Sequence, residues 1–323
     1  MTPPRLIQPG QLCFVTVRAV NRCYRFAPSP QALEIIWYCF ARTLHKYQGR
    51  IEAHEFLWMS NHYHLVLTDR GACLPRFMEE LNSLMARALN ALHGLCGTVV
   101  EKGYNLVLVG TEDKVVKHCV YTLANPCSAH LVERSLQWKG VSSAKLEYGV
   151  AVTVERPKCG LWGERCRGAG IQDPRGSKQA RSAGRSKLPE RVPLVLERPP
   201  ILLELPDHEL RKEIRRRLEE RQRDLSVQRK KSRIRVMGWR AATRVDVRLA
   251  PRLREERFGA VPHFSASGSA ARVFAWQRRR NFMAQYYDAL KRFVGGDRAA
   301  EFPAGTWLMR VRYRASCVPC AAI

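Results

Sequence analysis

No stretch of this 323-residue chain approaches the ~20 consecutive apolar residues of a membrane-spanning helix, and its opening, MTPPRLIQPG, lacks an apolar leader core. The expectation is a cytoplasmic protein with no membrane partner. Cysteines at metal or disulfide spacing are also scarce. The eleven present are scattered, an odd number without the density of a small secreted scaffold, and they read as reduced thiols. The one close pair, Cys317 and Cys320, has no second pair or nearby histidine at zinc spacing, so the C-terminus reads as a fraying end rather than a metal knot. Acidic residues are few as well. Against 55 Lys and Arg stand 29 Asp and Glu, a net charge of +26, which points first to a polyanionic partner such as nucleic acid, and so to a nucleoid-associated location.

The charge is uneven along the chain. Residues 1–150 carry 16 Lys and Arg against 11 Asp and Glu, which leaves 39 against 18 for the remainder. A balanced front domain, 10–150, is therefore expected ahead of a basic back half that supplies sequence-independent grip. With 46% hydrophobic residues there is enough apolar side chain for one well-packed domain and a smaller second region.

Within the front domain, LCFVTVRAV (12–20) alternates and reads as a strand. Leu33, Ile36, Trp37, Phe40, Leu44 and Tyr47 recur at helical spacing and stop before Gly49. RIEAHEFLWMS and NHYHLVLTD read as a hairpin-like pair of strands closing around Ser60-Asn61. The strongest periodic stripe follows, from Leu74 through Leu92, and predicts a packing helix. TVVEKGYNLVLVG (98–110) returns to strand character, and TEDKVVKHCVYTLAN (111–125) to a helix with an acidic start. This order predicts an α+β fold, a ferredoxin-like antiparallel sheet with helices on one face. Residues 151–205, rich in Gly, Ser, Arg and Pro, read as a linker or mobile loop. Residues 206–323 read as a basic, mainly helical region: Asp207 is placed as an N-cap for a helix with a narrow Leu210, Ile214, Leu218 stripe, and a second helix ends at Gly295-Gly296. Part of this region is expected to pack on the core or on a second copy of the chain, a homodimer, and part to follow phosphates.

Two places carry candidate chemistry. In WMSNHYHLVL, His62 and His64 share one strand face while Tyr63 and Leu65 share the other, so a two-imidazole metal clamp is geometrically allowed. A lone H-x-H is nonetheless more often an ordinary strand with two partly exposed histidines. In VKHCVYTLANP, Tyr121 and Asn125 lie four residues apart on one helix face, with Lys117 and His118 a turn earlier and Val116, Val120 and Leu123 opposite. Pro126 biases Asn125 away from helical geometry.

WMSNHYHLVL, LPRFMEELNSLMARALN, YTLANPCSAHLV and QWKGVSS, in this order over residues 10–145, resemble the HUH single-tyrosine transposases of bacterial insertion sequences, and more closely the REP-associated tyrosine transposase-like proteins. FPAGTWLMRVRY near the C-terminus is similar to members of this group that carry a basic helical extension. The resemblance implies a catalytic domain over 10–150 that cleaves and rejoins single-stranded, hairpin-forming DNA. It implies His62 and His64 as a metal pair, Asn125 as a supporting ligand and catalytic residue, Tyr121 as nucleophile, and Mg2+ or Mn2+ as cofactor. Two imidazoles and an amide oxygen would also hold zinc or nickel. Phenols titrate near ~10, so the site must favour the phenolate during attack, with Lys117 and His118 as candidate helpers. Ser60 stands where many relatives have proline, and Cys127 and His130 where they read valine and glycine. A different class stays open: a catalytically silent DNA- or RNA-binding regulator derived from such an enzyme.

Overall fold

β-branched and aromatic alternation in QLCFVTVR makes Gln11–Arg18 a strand, β1, and the computed structural model sets it inside a five-stranded sheet. The structure describes residues 4–159, 188–202, 204–251 and 262–320. Helix α1, Pro30–Lys46, begins where Ser29 Oγ accepts from the Ala32 amide at 3.2 Å and Pro30 presets the first turn. Strands β2, Ile51–Trp58, and β3, His62–Asp69, form the expected hairpin, its turn closed by the Met59 amide donating to the His62 carbonyl at 2.8 Å. At the end of β3 the Asp69 carboxylate accepts the Cys73 and Leu74 amides, each at 2.9 Å, fixing the start of α2, Leu74–His93. Gly94 then ends that helix in the left-handed conformation. Strand β4, Asn105–Val109, is shorter than the run read from the sequence, and α3, Glu112–Ser128, follows directly.

The order β2-β3-β1-β4 is antiparallel throughout and ferredoxin-like, and β7, Phe264–Ser265, extends the β4 edge in parallel. The α+β class is as expected, but the helices are not gathered on one face. Tyr63 points toward α1 and α2, with its hydroxyl donating to Asn82 of α2 at 2.5 Å. His64, next in the strand, points the opposite way and meets Asn125 of α3. Helix α3 thus covers the second face, because both faces of β3 are apolar enough to need cover. Pro126 does not break α3, and Ala129 still donates to the Asn125 carbonyl at 2.9 Å, so Asn125 keeps its place one turn beyond Tyr121.

QWKGVSS seals the β2 edge. Trp138 Nε1 donates to the Trp58 carbonyl at 2.9 Å, the Trp58 amide to Val141 at 2.8 Å, and the Phe56 amide to Ser143 Oγ at 2.9 Å. A Cβ on Gly140 would run into the Trp138 ring.

The supposed linker 151–205 is partly ordered. Its described residues include β5, Ala151–Glu155, and β6, Arg191–Val195, an antiparallel pair in which Val192 and Leu194 are buried and β6 lies against α1. Alternation within those two short stretches wins over the Gly/Ser/Arg-rich composition between them, whose centre, 160–187, lies outside the described residues. Helix α4, Asp207–Lys231, is preceded by Pro206 as its cap residue, so Asp207 occupies the first turn rather than the cap. Leu210, Ile214, Leu218 and Leu225 of α4 join the main core. After the short α5, Trp239–Thr243, come α6, Ser269–Val294, and α7, Trp307–Arg312, which close a small second core around Phe282, Tyr286, Phe302 and Met309. The chain past α7 pairs back at Phe302–Cys317 instead of fraying. Among the described residues no helix is long and apolar enough to cross a membrane.

The deepest link between the two halves is ionic. Arg211 of α4 and Glu55 of β2 are 1% and 0% exposed and form a direct ion pair, with Ser143 and Tyr148 hydrogen-bonded around it. Removing the cation alone strands a buried carboxylate, so Arg211→Ala is expected to cost about 3–5 kcal/mol in urea unfolding, and a double Glu55→Gln, Arg211→Met variant clearly less. A second clip is His54, fully buried between the Glu197 carbonyl at 2.8 Å and Thr68 Oγ1 at 2.7 Å. Burial pushes its pKa from 6.5 down to about 4, so the fold disfavours the imidazolium. That contribution is complete above pH ~6.5 and is lost as pH falls toward 4, on the order of 3 kcal/mol in all. His54→Gln is expected to flatten the pH 7-to-4 slope of the unfolding free energy relative to the parent chain.

Candidate active site

Strand alternation builds the site. Tyr63 is fully buried and stacks on Trp58 with ring centres 4.7 Å apart, which anchors the strand from one side. That anchoring turns His62 and His64 to the other side, where their ring centres lie 4.9 Å apart. The register of β1 with β3 sets Thr16 opposite His64 and Arg18 opposite His62.

Hydrogen bonds fix how the rings present themselves. His62 Nδ1 meets Asn61 Oδ1 at 2.8 Å, and a carbonyl oxygen only accepts, so the proton sits on Nδ1. His64 Nδ1 meets Thr16 Oγ1 at 2.9 Å, and Asn125 Nδ2, a donor, faces His64 Nε2 at 3.1 Å. With the amide so assigned, His64 also carries its proton on Nδ1. On the α3 side of the sheet the Asn125 amide is hydrogen-bonded to both rings, His64 accepting at Nε2. Burial is the main cause that lowers both pKa values, His62 to about 4 and His64 well below the usual range, aided by Arg18 beside both. At neutral pH both are neutral imidazoles.

Tyr121 completes the cluster. Its ring meets His64 edge-on at 5.4 Å and Phe14 edge-on at 5.8 Å, and it remains 47% exposed on a helix whose opposite side is buried. His118 stacks on Phe14 at 4.4 Å, and burial, then Lys117 and Lys114, lower its pKa to about 4. The structure brings His62, His64, Tyr121, Asn125 and His118 into one group, with Lys117 exposed at its edge. Phe14, Thr16 and Asn61 belong to the same cluster and have no mark in the sequence beyond strand alternation, because only the β1–β3 register reveals what faces what.

No protein-family model matches the chain, and no curated protein is similar to it. Among solved structures, a REP-associated tyrosine transposase bound to a REP hairpin is similar at 14% identity, over 44% of this chain and 81% of that one, with a TM-score of 0.38. A tRNA(His) guanylyltransferase from Saccharomyces cerevisiae is similar at 12% identity, over 41% of this chain and 65% of that one, with a TM-score of 0.32. At these scores neither likeness decides what this chain does.

Among the described residues no three His, Cys, Asp or Glu side chains gather to hold a metal ion. A cation here would rest on His62 Nε2 and His64 Nε2, with the Asn125 amide turned so that Oδ1 replaces Nδ2. Two neutral nitrogens and a neutral oxygen suit a divalent ion whose remaining positions go to water and substrate phosphate. The residues fit.

Proposed function

We propose that the protein is a metal-dependent single-stranded DNA endonuclease and strand transferase, a transposase-type enzyme that works through a 5′-phosphotyrosine at Tyr121. The observation that carries this reading is the half-exposed Tyr121 ring set edge-on against His64, beside two neutral imidazoles that both meet the Asn125 amide of α3. The chemistry a divalent cation, Mg2+ or Mn2+, supplies when held by His62, His64 and Asn125 is polarisation of the scissile phosphate and neutralisation of charge on its oxygens.

This chain's own residues do the rest. Tyr121 Oη attacks phosphorus, forming the O–P bond and breaking the bond to the 3′ oxygen, which leaves as a 3′-hydroxyl after taking a proton from solvent. The phenol proton passes to solvent while Lys117, one turn earlier on the same helix, stabilises the phenolate by its charge; His118, its pKa pushed down to about 4, is too weak a base to take that proton. Arg18, at the edge of the histidine pair, offsets the negative backbone of the strand. Because the phosphotyrosine keeps the bond energy, attack by another 3′-hydroxyl rejoins DNA with no external energy source. A hairpin-forming single strand is the proposed substrate.

Incubation with labelled hairpin single strands and Mn2+ is expected to give an SDS-stable adduct that Tyr121→Phe abolishes while leaving DNA binding intact. DNA shifting without any adduct in the parent chain would favour the silent nucleic-acid-binding regulator instead. Thr16 orients His64 from behind, so Thr16→Val is expected to weaken Mn2+ affinity by about 10- to 100-fold in calorimetry, with little change in thermal stability.

A further inference from the structure

A second concavity lies at the β4 edge of the sheet, away from the histidine pair. It encloses about 670 Å³ between the N-terminal segment, β4, β7 and the first turns of α6. Among its described lining residues are three aromatic rings, Tyr104, Phe264 and Phe274, and three guanidinium groups, Arg5, Arg278 and Arg279, with no aspartate or glutamate. Cavities of this size accept small organic ligands, and these walls offer flat apolar surface rimmed by positive charge.

The arginines are arranged as a receptor rather than as structural ion pairs. Arg5 lies over the Tyr104 ring at 3.9 Å and donates to the Tyr104 carbonyl at 2.6 Å, so it is held by a ring and a neutral oxygen. Arg278 donates to Gln8, also neutral. Arg279 is partly buried and forms no ion pair among the described residues, and burial lowers its pKa. With no acid among the described lining residues, the partly buried Arg279 is desolvated without a counter-charge, which a bound anion would supply. Phe274, by contrast, is 66% exposed, and of the exposed apolar side chains of α6, which include Val273 and Trp276, it is the one that lines this cavity.

We infer that this cavity receives one unpaired nucleotide of a single-stranded nucleic acid, its base stacked against Phe274 and its phosphate held by Arg278 and Arg279. Stacking is sequence-tolerant because every base has a π-face, and the guanidinium fork matches a phosphate's oxygens. A second copy of this chain is a poorer occupant, since α6 carries six Lys and Arg against one Asp and two such faces would repel. The β1–β4 pair connects the two places: Thr16 stands at the histidines, while Leu12, four residues away, lines the cavity, a separation of about 13 Å along the strand. One bound strand reaches both. The inference deepens the single-strand function proposed above and rests on it only for the identity of the strand.

Because Tyr121→Phe stops chemistry but not binding, the test is run in that variant of the full chain, so that a failure of the catalytic reading leaves this one measurable. Fluorescence anisotropy would follow a labelled single strand in which each position in turn is made abasic. Phe274→Ala is expected to weaken binding of the intact strand by roughly tenfold. One abasic position should show the same loss, with no further loss when the two changes are combined. Arg279→Ala should lower affinity and flatten its salt dependence by about one phosphate contact. Since Phe274 is exposed, its replacement leaves the fold intact, which circular dichroism checks. Unchanged affinity in Phe274→Ala, or additive losses at every abasic position, would overturn the assignment. So would binding of free thymidine monophosphate as tight as that of the strand.

Discussion

Everything at the candidate site depends on the two-residue alternation of β3 under load from both faces. Tyr63 is wedged between Trp58, Phe26 and Asn82, so the strand cannot rotate or slip by one residue without exposing that ring and burying the histidines on the wrong side. The cost of such a slip is of the order of one buried aromatic, about 3 kcal/mol or more. Tyr63 is therefore the reason His62 and His64 hold one orientation. The same register brings Thr16 behind His64, so strand pairing also chooses the tautomer.

The second requirement is a helix laid across that face at the right height. Helix α3 is held there by its own apolar side and from outside by α4, whose leucines and isoleucine join the main core. The buried Arg211–Glu55 pair ties α4 to β2, one strand from the histidines. The basic half of the chain thus has two roles: its first helix supports the front domain from within, while α6 and α7 build a separate small core beside the β4 edge and carry exposed arginines and aromatics.

Much of this was legible in residue order. Alternation in 12–20 and 61–69 and the stripe from Leu74 to Leu92 mark elements that the structure contains, and the pairing of His62 with His64 follows from strand period alone. What the chain could not disclose was partnership across elements. Nothing near Thr16 or Asn61 announces a hydrogen bond to an imidazole, and nothing in α3 says which face of the sheet it covers. Composition misled at 151–205, where the short β5 and β6 hide among Gly, Ser and Arg. Pro126 misled locally, because the packing of α3 against the sheet outweighs one lost backbone hydrogen bond. His130 is a smaller case of the same kind: its φ of +56° is a conformation that glycine adopts freely and that a histidine holds only at some cost.

The central claim is that two imidazole nitrogens from alternate residues of one strand hold a divalent ion beside Tyr121. Pulsed electron paramagnetic resonance of Mn2+ bound to the 15N-histidine-labelled chain addresses it directly. The account predicts hyperfine coupling to two histidine nitrogens, reduced to one in His62→Ala and one in His64→Ala. A Mn2+ signal with no nitrogen coupling, or one that both single variants leave unchanged, would contradict it.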